Sequence, residues 1–279
     1  MKKEIEPFMD LHKSYLRLVN ALYPRAKCIE TAMIIEKYCD EESQQVTIPP
    51  KSIARELMKA DIHQLMSDDI FYFIDKALRD AYYQIDEPYA SYELGCLYYY
   101  ERFNHINYDK AFKYFNKEES IGESNTMLGV CYFYGQGCKQ NYELAYHNLV
   151  KSALSGKSAQ ALYLLGDMYF NGYYVKNDRL EANELYEKAM EVSQEVETSI
   201  FVAAEIFYRR GNDYISRNNK IEQLREALIA YNVAETLYIG AILEASPSIR
   251  EQLYKCQSKQ NEVKEMINHI LFESDKLMN

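Results

Sequence analysis

The sequence predicts an all-α protein built from stacked helix–turn–helix repeats, with further helices before and after them. A Leu-Gly pair recurs three times at nearly equal intervals, and an alanine follows each glycine at the same distance every time. An asparagine or aspartate stands four positions before each alanine, where its side chain can cap the start of a helix. The three sets are Gly95, Asn107 and Ala111, then Gly129, Asn141 and Ala145, and finally Gly166, Asp178 and Ala182. Units of this length hold two helices each and bury their apolar faces by stacking on their neighbours.

A fourth, more divergent copy is predicted after the third. Ala203-Ala204 stands in place of Leu-Gly at a similar interval after Gly166, and Ala227 takes the place of the later alanine. On this alignment the connection between the two helices is seven residues longer than in the other copies. The second helix matches the third copy at Ala227, Tyr231 and Ala234.

The third copy reads LGDMYFNGYYVKNDRLEANELYEKA (165–189), and LGVCYFYGQGCKQNYELAYHNL (128–149) precedes it. These stretches resemble the Sel1-like repeat, a relative of the tetratricopeptide repeat, and the likeness covers roughly residues 88–240. The resemblance implies a right-handed α-solenoid that binds protein partners. We therefore divide the chain into a helical N-terminal region (1–87), four repeats (88–240) and a C-terminal helix (241–279).

The resemblance also implies a binding groove, because one face of each first helix is expected to line the concave side of the superhelix. The aromatic residues on this face would form its walls, with Arg209 among its charged groups, and a peptide or partner helix would lie between them. Those residues are Tyr92, Tyr99, Tyr100, Phe133, Tyr134, Tyr163, Phe170, Phe201 and Tyr208. The alternative is that this stripe belongs to the core, since aromatic residues at helical spacing are often buried.

The N-terminal region is predicted to form helices over 7–22, 28–38, 51–58 and 68–83. One interpretation is a cap that closes the end of the repeat array. The alternative is a regulator in which this region contacts nucleic acid and the repeats sense a peptide. Residues 1–85 carry 12 Lys and Arg against 14 Asp and Glu, so the positive excess that phosphate binding requires is missing. We therefore do not expect nucleic acid as a partner.

The C-terminal region has apolar residues spaced alternately by four and three positions, which is typical of a coiled-coil seam. The seam is Ile249, Leu253, Cys256, Gln260, Val263, Ile267 and Ile270. Such a helix either packs on the last repeat or forms a homodimer, and both interpretations are open at this point.

Composition and motifs argue against several other classes. No apolar run approaches the roughly 18 residues of a membrane helix, and MKKEIEPFMD has acidic residues where a signal peptide needs an apolar stretch. We therefore expect a cytoplasmic protein that does not enter membranes. The five histidines and six cysteines are scattered and complete no zinc, nucleophile or nucleotide motif. We expect no enzymatic activity, no metal and no cofactor.

Overall fold

The computed structural model describes residues 50–59, 68–100, 103–118, 121–154, 158–195, 200–217, 220–242 and 247–278. The predicted helices over 7–22 and 28–38 lie outside these ranges. Within them the chain forms α-helices and no strand, which confirms the predicted all-α class.

The described residues form eleven helices that follow one another as hairpins. They are α1 (Pro50–Lys59), α2 (Asp68–Ile85), α3 (Tyr89–Tyr99), α4 (Tyr108–Phe115), α5 (Gly122–Tyr134), α6 (Tyr142–Ala153), α7 (Ala159–Asn171), α8 (Arg179–Glu195), α9 (Ile200–Arg217), α10 (Ile221–Ile242) and α11 (Pro247–Met278). The helices predicted over 51–58 and 68–83 correspond to α1 and α2.

The chain divides into two compact units, residues 1–121 and residues 122–279. We call them unit 1, which holds α1–α4, and unit 2, which holds α5–α11. Within each unit every helix contacts the next one along the chain. In unit 2 the first helices of successive hairpins also contact one another, α5 with α7 and α7 with α9. These three helices therefore share one face of unit 2. The predicted domain boundaries at 87/88 and 240/241 stay predictions.

Small residues set the spacing inside each hairpin. The alanines at 111, 145, 182 and 227 are completely buried. The glycine of the first helix lies against a large side chain of the second helix, and a Cβ there would come within 2.6 Å of that side chain. The pairs are Gly95 with Phe115, Gly129 with Leu149, Gly166 with Tyr186, and Gly211 with Tyr231. A glycine is needed at these positions because any larger residue would separate the two helices.

The predicted helix caps are confirmed. The side chains of Asn107, Asn141 and Asp178 each accept a hydrogen bond from a backbone N–H in the first turn of the second helix. The backbone N–H groups of the same residues donate to carbonyl oxygens near the end of the first helix, over 2.8–3.0 Å. Each polar residue thus starts one helix and closes the hairpin on the other.

The predicted alignment of the fourth repeat was wrong. Gly211, rather than Ala204, takes the glycine position, since its Cβ would lie 2.4 Å from Tyr231 Cε1. The spacing from Gly211 to Ala227 also equals that from glycine to alanine in the other repeats, so the extra seven residues come before the glycine. Seven residues are about two helical turns, which places Ala204 on the same face of α9 as Gly211. The Ala203-Ala204 pair therefore resembles the Leu-Gly pair of the other repeats, but it lies about two turns before the true glycine position in α9.

The C-terminal seam packs inside unit 2. Its buried members Ile249, Cys256 and Val263 join the core formed with α9 and α10. Buried Gln260 donates hydrogen bonds to the Tyr231 carbonyl over 3.2 Å and to Glu235 Oε2 over 2.7 Å. The buried part of the seam thus packs on the preceding hairpin, as the first interpretation expects. Homodimerisation through the C-terminal helix stays a prediction.

Candidate functional site

Three charged side chains of α7 and α9 form one ion-pair network on the face that the first helices share. The Arg209 guanidinium donates from Nε to Asp167 Oδ1 over 2.6 Å and from Nη2 to Asp167 Oδ2 over 2.5 Å. Its Nη1 donates to the Glu205 carboxylate and to the Glu205 carbonyl oxygen. The side chains of Arg209, Asp167 and Glu205 are only 11%, 13% and 4% exposed. We call this group the Arg209 network.

Tyrosines complete the hydrogen bonding of the Arg209 network. The Tyr186 hydroxyl on α8 donates to Asp167 Oδ1 over 2.9 Å, and the Tyr238 hydroxyl on α10 donates to Glu205 Oε1 over 2.7 Å. The Arg209 guanidinium carbon also lies 4.5 Å from the centroid of the Tyr163 ring, within the range of a cation–π interaction. Buried charges are tolerated when they are paired and hydrogen-bonded in this way. The network therefore joins four helices of unit 2 through satisfied polar contacts.

The environment fixes the protonation of the arginine and of the tyrosines around it. Burial acts to lower the pKa of Arg209, but Asp167 and Glu205 outweigh it and hold that pKa well above its ordinary value. Burial is the largest cause that raises the pKa values of Tyr163, Tyr186 and Tyr238. The phenols therefore stay neutral donors at physiological pH. Two carboxylates face one guanidinium, so ionised carboxylates leave the network with an excess of one negative charge.

Tyr134 connects the Arg209 network to solvent. This residue ends α5 and is 48% exposed. Burial is nevertheless the largest cause that raises the pKa of its phenol, and the positive charge of Arg209 opposes the rise. The phenol therefore lies near Arg209, while about half of the residue is exposed.

The other predicted groove residues of unit 2 lie deeper than Tyr134. Phe133 and Tyr163 are buried, so they pack within the hairpins and do not line an open surface. The remaining residues, Phe170, Phe201 and Tyr208, are half-buried. The rings of Phe201 and Tyr208 pack against Tyr238 and Tyr231, and the Arg179 guanidinium lies 5.6 Å from the Phe170 ring centroid. The structure therefore brings Tyr134, Tyr163 and Arg209 together, whereas Phe170, Phe201 and Tyr208 each contact a residue of their own hairpin.

The predicted residues of unit 1 form a separate aromatic cluster. Tyr100 is exposed and meets Tyr99 edge to face, with ring centroids 5.2 Å apart. Tyr92 and Tyr99 are half-buried, and both rings pack against Phe115, the residue that contacts Gly95. Part of the tyrosine content of the chain therefore serves hairpin packing.

Sequence reasoning missed the two tyrosines that donate to the Arg209 network. Tyr186 stands at the same distance from its repeat glycine as Phe115 and Leu149 do from theirs, so its place was readable from the spacing of the repeat. The spacing of the repeat does not indicate Tyr238, because its partner Glu205 lies in the part of α9 before Gly211, outside the corrected fourth repeat. In α9, acidic and basic residues alternate every four positions at Glu205, Arg209, Asp213 and Arg217, a pattern that predicts a charged stripe on one helix face.

No helix within the described ranges is long and apolar enough to cross a membrane. In the same part of the chain, no three side chains of the metal-ligating types gather as a site for a metal ion.

The sequence matches the family described as Sel1 repeat over residues 88–117, 122–157 and 159–191. A Sel1 repeat protein from Oxalobacter formigenes is 24% identical, and the alignment covers 42% of this chain and 88% of that one, with a TM-score of 0.38. The protein c5321, a protective antigen present in uropathogenic Escherichia coli strains that displays an SLR fold, is 14% identical with a TM-score of 0.48. That alignment covers 95% of this chain and 65% of c5321, so this chain spans just under two thirds of its length. Residues 88–191 thus contain three stretches that match the Sel1 repeat.

Proposed function

We propose that the protein is a non-enzymatic interaction scaffold, and that unit 2 binds a peptide segment of a protein partner on the face around Tyr134. Sel1 repeats typically serve as protein-interaction scaffolds. The observation that carries the proposal is Tyr134, a half-exposed aromatic residue near the nearly buried Arg209 network. Tyrosine suits a binding surface because it offers a large contact area with one polar tip.

The Arg209 network prepares this surface for binding. Arg209 is held by two carboxylates and packs on Tyr163, and both carboxylates accept a tyrosine hydroxyl. Side chains that are already fixed lose little conformational entropy when a partner binds. The face around Tyr134 therefore needs little rearrangement to receive a peptide.

The charge of the Arg209 network favours one class of partner residue. Two carboxylates against one guanidinium give the network near Tyr134 a formal charge of minus one. A lysine or arginine of the partner is attracted to this charge and to the face of the ring. We therefore expect the bound segment to place a cationic side chain against Tyr134.

The same geometry argues against catalysis at this site. Asp167 and Glu205 each accept hydrogen bonds from Arg209 and from a tyrosine, so their oxygens are engaged rather than aimed at a substrate. The raised pKa values of Tyr163, Tyr186 and Tyr238 keep the phenols protonated, which makes them poor bases and nucleophiles.

The nucleic-acid alternative gains no support from α1. Lys51 and Arg55 are its two basic residues before the last turn, and both form ion pairs, Lys51 with Glu87 and Arg55 with Glu87 and Glu93. Burial acts to raise the pKa of Glu87, but these two basic partners outweigh it and lower that pKa. The pairs neutralise the positive charge that phosphate binding would use.

A capture experiment with two matched variants tests the proposal. The full chain, Tyr134→Ala and Tyr254→Ala are immobilised and exposed to lysate of the native host, and bound proteins are identified by mass spectrometry. Tyr254 is the control because it is 71% exposed and lies on α11. We expect a partner that is retained by the full chain and by Tyr254→Ala but lost from Tyr134→Ala, with circular dichroism unchanged in both variants. Equal retention by Tyr134→Ala would place binding on another surface.

A further inference from the structure

Three tyrosine side chains of unit 1 surround one ammonium group. The Lys117 Nζ atom lies 4.9 Å from the ring centroid of Tyr82, 4.7 Å from that of Tyr83 and 4.8 Å from that of Tyr114. Tyr82 and Tyr83 lie on α2 and Tyr114 on α4, while Lys117 lies in the turn that follows α4. We call the three rings the tyrosine cage.

Neighbouring contacts hold the walls of the tyrosine cage. The Tyr82 and Tyr83 rings are nearly perpendicular, at 78° with centroids 4.8 Å apart. The Tyr82 hydroxyl donates to Glu118 Oε1 over 3.4 Å. The Tyr114 ring is stacked parallel to the ring of buried Tyr98 at 6.1 Å. These contacts form a preformed pocket for a positive charge, with a carboxylate beside it.

Lys117 does not use all of the tyrosine cage. Its Nζ donates to the Tyr83 hydroxyl over 2.5 Å, so it meets Tyr83 at the hydroxyl edge and only Tyr82 and Tyr114 through their rings. A trimethylammonium group has no N–H donors to satisfy and is recognised by aromatic cages of this kind. Lys117 is exposed, and Tyr83 is 61% exposed, so the cage opens to solvent on the side of its occupant.

We propose that the tyrosine cage is a recognition site for the trimethylammonium group of a methylated lysine in a partner protein, with Lys117 as its resident competitor. Lys117 demonstrates that the cage accepts a cation on a four-carbon stem, which is the chemistry of a lysine side chain. Glu118 supplies the negative charge that further favours a cation. The site lies within unit 1 and does not depend on the face around Tyr134.

The test uses small probes and the full chain. The probes are Nα-acetyl-trimethyllysine methylamide, the corresponding unmethylated lysine amide, and phosphocholine, each followed by NMR of the tyrosine rings. Lys117→Gln empties the cage of its cation, and Lys113→Gln on α4 is the matched control because Lys113 is also an exposed lysine near the end of that helix. We expect the trimethyllysine probe to bind Lys117→Gln about tenfold more tightly than the wild type or the control, since an internal competitor is removed.

A second variant tests whether the rings are responsible. Tyr82→Leu in the Lys117→Gln background keeps an apolar side chain but removes a ring face, and we expect it to lose most of the trimethyllysine binding. The proposal is overturned if the probe fails to bind Lys117→Gln, if Tyr82→Leu binds as well as its parent, or if the unmethylated probe binds equally. Phosphocholine binding as tight as that of trimethyllysine would overturn the assignment to lysine.

Discussion

The hairpins of the third and fourth repeats, both in unit 2, make the same contact with one difference in chemistry. In α7–α8 the Tyr186 ring lies against Gly166, and its hydroxyl donates to Asp167 over 2.9 Å. In α9–α10 the Tyr231 ring lies against Gly211, and its hydroxyl donates to Asn212 over 2.7 Å. The residue after the glycine accepts the bond in both cases, but it is a carboxylate in one hairpin and an amide in the other.

The two hairpins share a packing contact and differ in one electrostatic contact. The ring and glycine fix the distance between two helices whether or not the acceptor is charged. The carboxylate of Asp167 additionally binds the Arg209 guanidinium, which draws α9 against α7 and assembles the surface near Tyr134. A carboxylate in place of the amide thus adds an ion pair to the packing contact, and this ion pair forms part of the candidate site.

The largest expected effect comes from removing the cation. Arg209→Met leaves Asp167 and Glu205 nearly buried without their counter-charge, and we expect it to lower the free energy of unfolding by about 3–5 kcal/mol. Arg210→Met is the control on the same helix. Its ion pair with Glu187 is long, at 3.7 Å, and the two side chains are 33% and 61% exposed, so we expect a loss below about 1 kcal/mol. Urea unfolding followed by circular dichroism measures both values, and equal losses would refute the role of the Arg209 network.

A smaller effect tests the corrected register of the fourth repeat, the hairpin α9–α10. Gly211→Ala places a Cβ against the completely buried Tyr231 ring, and we expect it to destabilise the chain by about 1–3 kcal/mol. Gly240→Ala is the control, because its Cβ would meet only Ile200 Cγ2 at 3.8 Å. Since alanine is favoured over glycine inside a helix, that variant is expected to be neutral or to gain up to about 1 kcal/mol. Thermal unfolding compares the two, and a harmless Gly211→Ala would contradict the assignment.

The smallest effect measures the difference between the two acceptors. Tyr186→Phe removes a hydrogen bond to the charged Asp167, which we expect to cost about 2 kcal/mol, whereas Tyr231→Phe removes one to neutral Asn212 and is expected to cost about 1 kcal/mol. Both variants keep the ring against its glycine. Chemical denaturation of the pair therefore isolates the hydroxyl, and the reverse order of costs would argue against the comparison.

Much of the fold was predictable because the repeat follows from local rules. The capping side chains of Asn107, Asn141 and Asp178 and the buried alanines obey fixed spacings that any copy must satisfy. The fourth copy was misplaced because Ala204 lies two turns before Gly211, on the same face of α9. The spacing between Gly211 and Ala227, which is that of the other repeats, indicates the correct register.

The candidate site was only partly predictable. Helical spacing placed Tyr163 and Arg209 on a shared face, and the structure brings them together. It could not distinguish exposed Tyr134 from buried Tyr163, because burial depends on how successive hairpins pack. The ion pair between Asp167 and Arg209 joins residues 42 positions apart in different hairpins, a contact that no local pattern encodes.

A double-mutant cycle between Asp167 and Arg209 tests the central claim most directly. The free energies of unfolding are measured for the wild type, Asp167→Asn, Arg209→Met and the double variant. Because the two side chains form a paired, nearly buried contact, we predict a coupling energy of about 1–3 kcal/mol. Losses that add within about 0.5 kcal/mol would show that the two residues act independently, and would contradict the account of the Arg209 network.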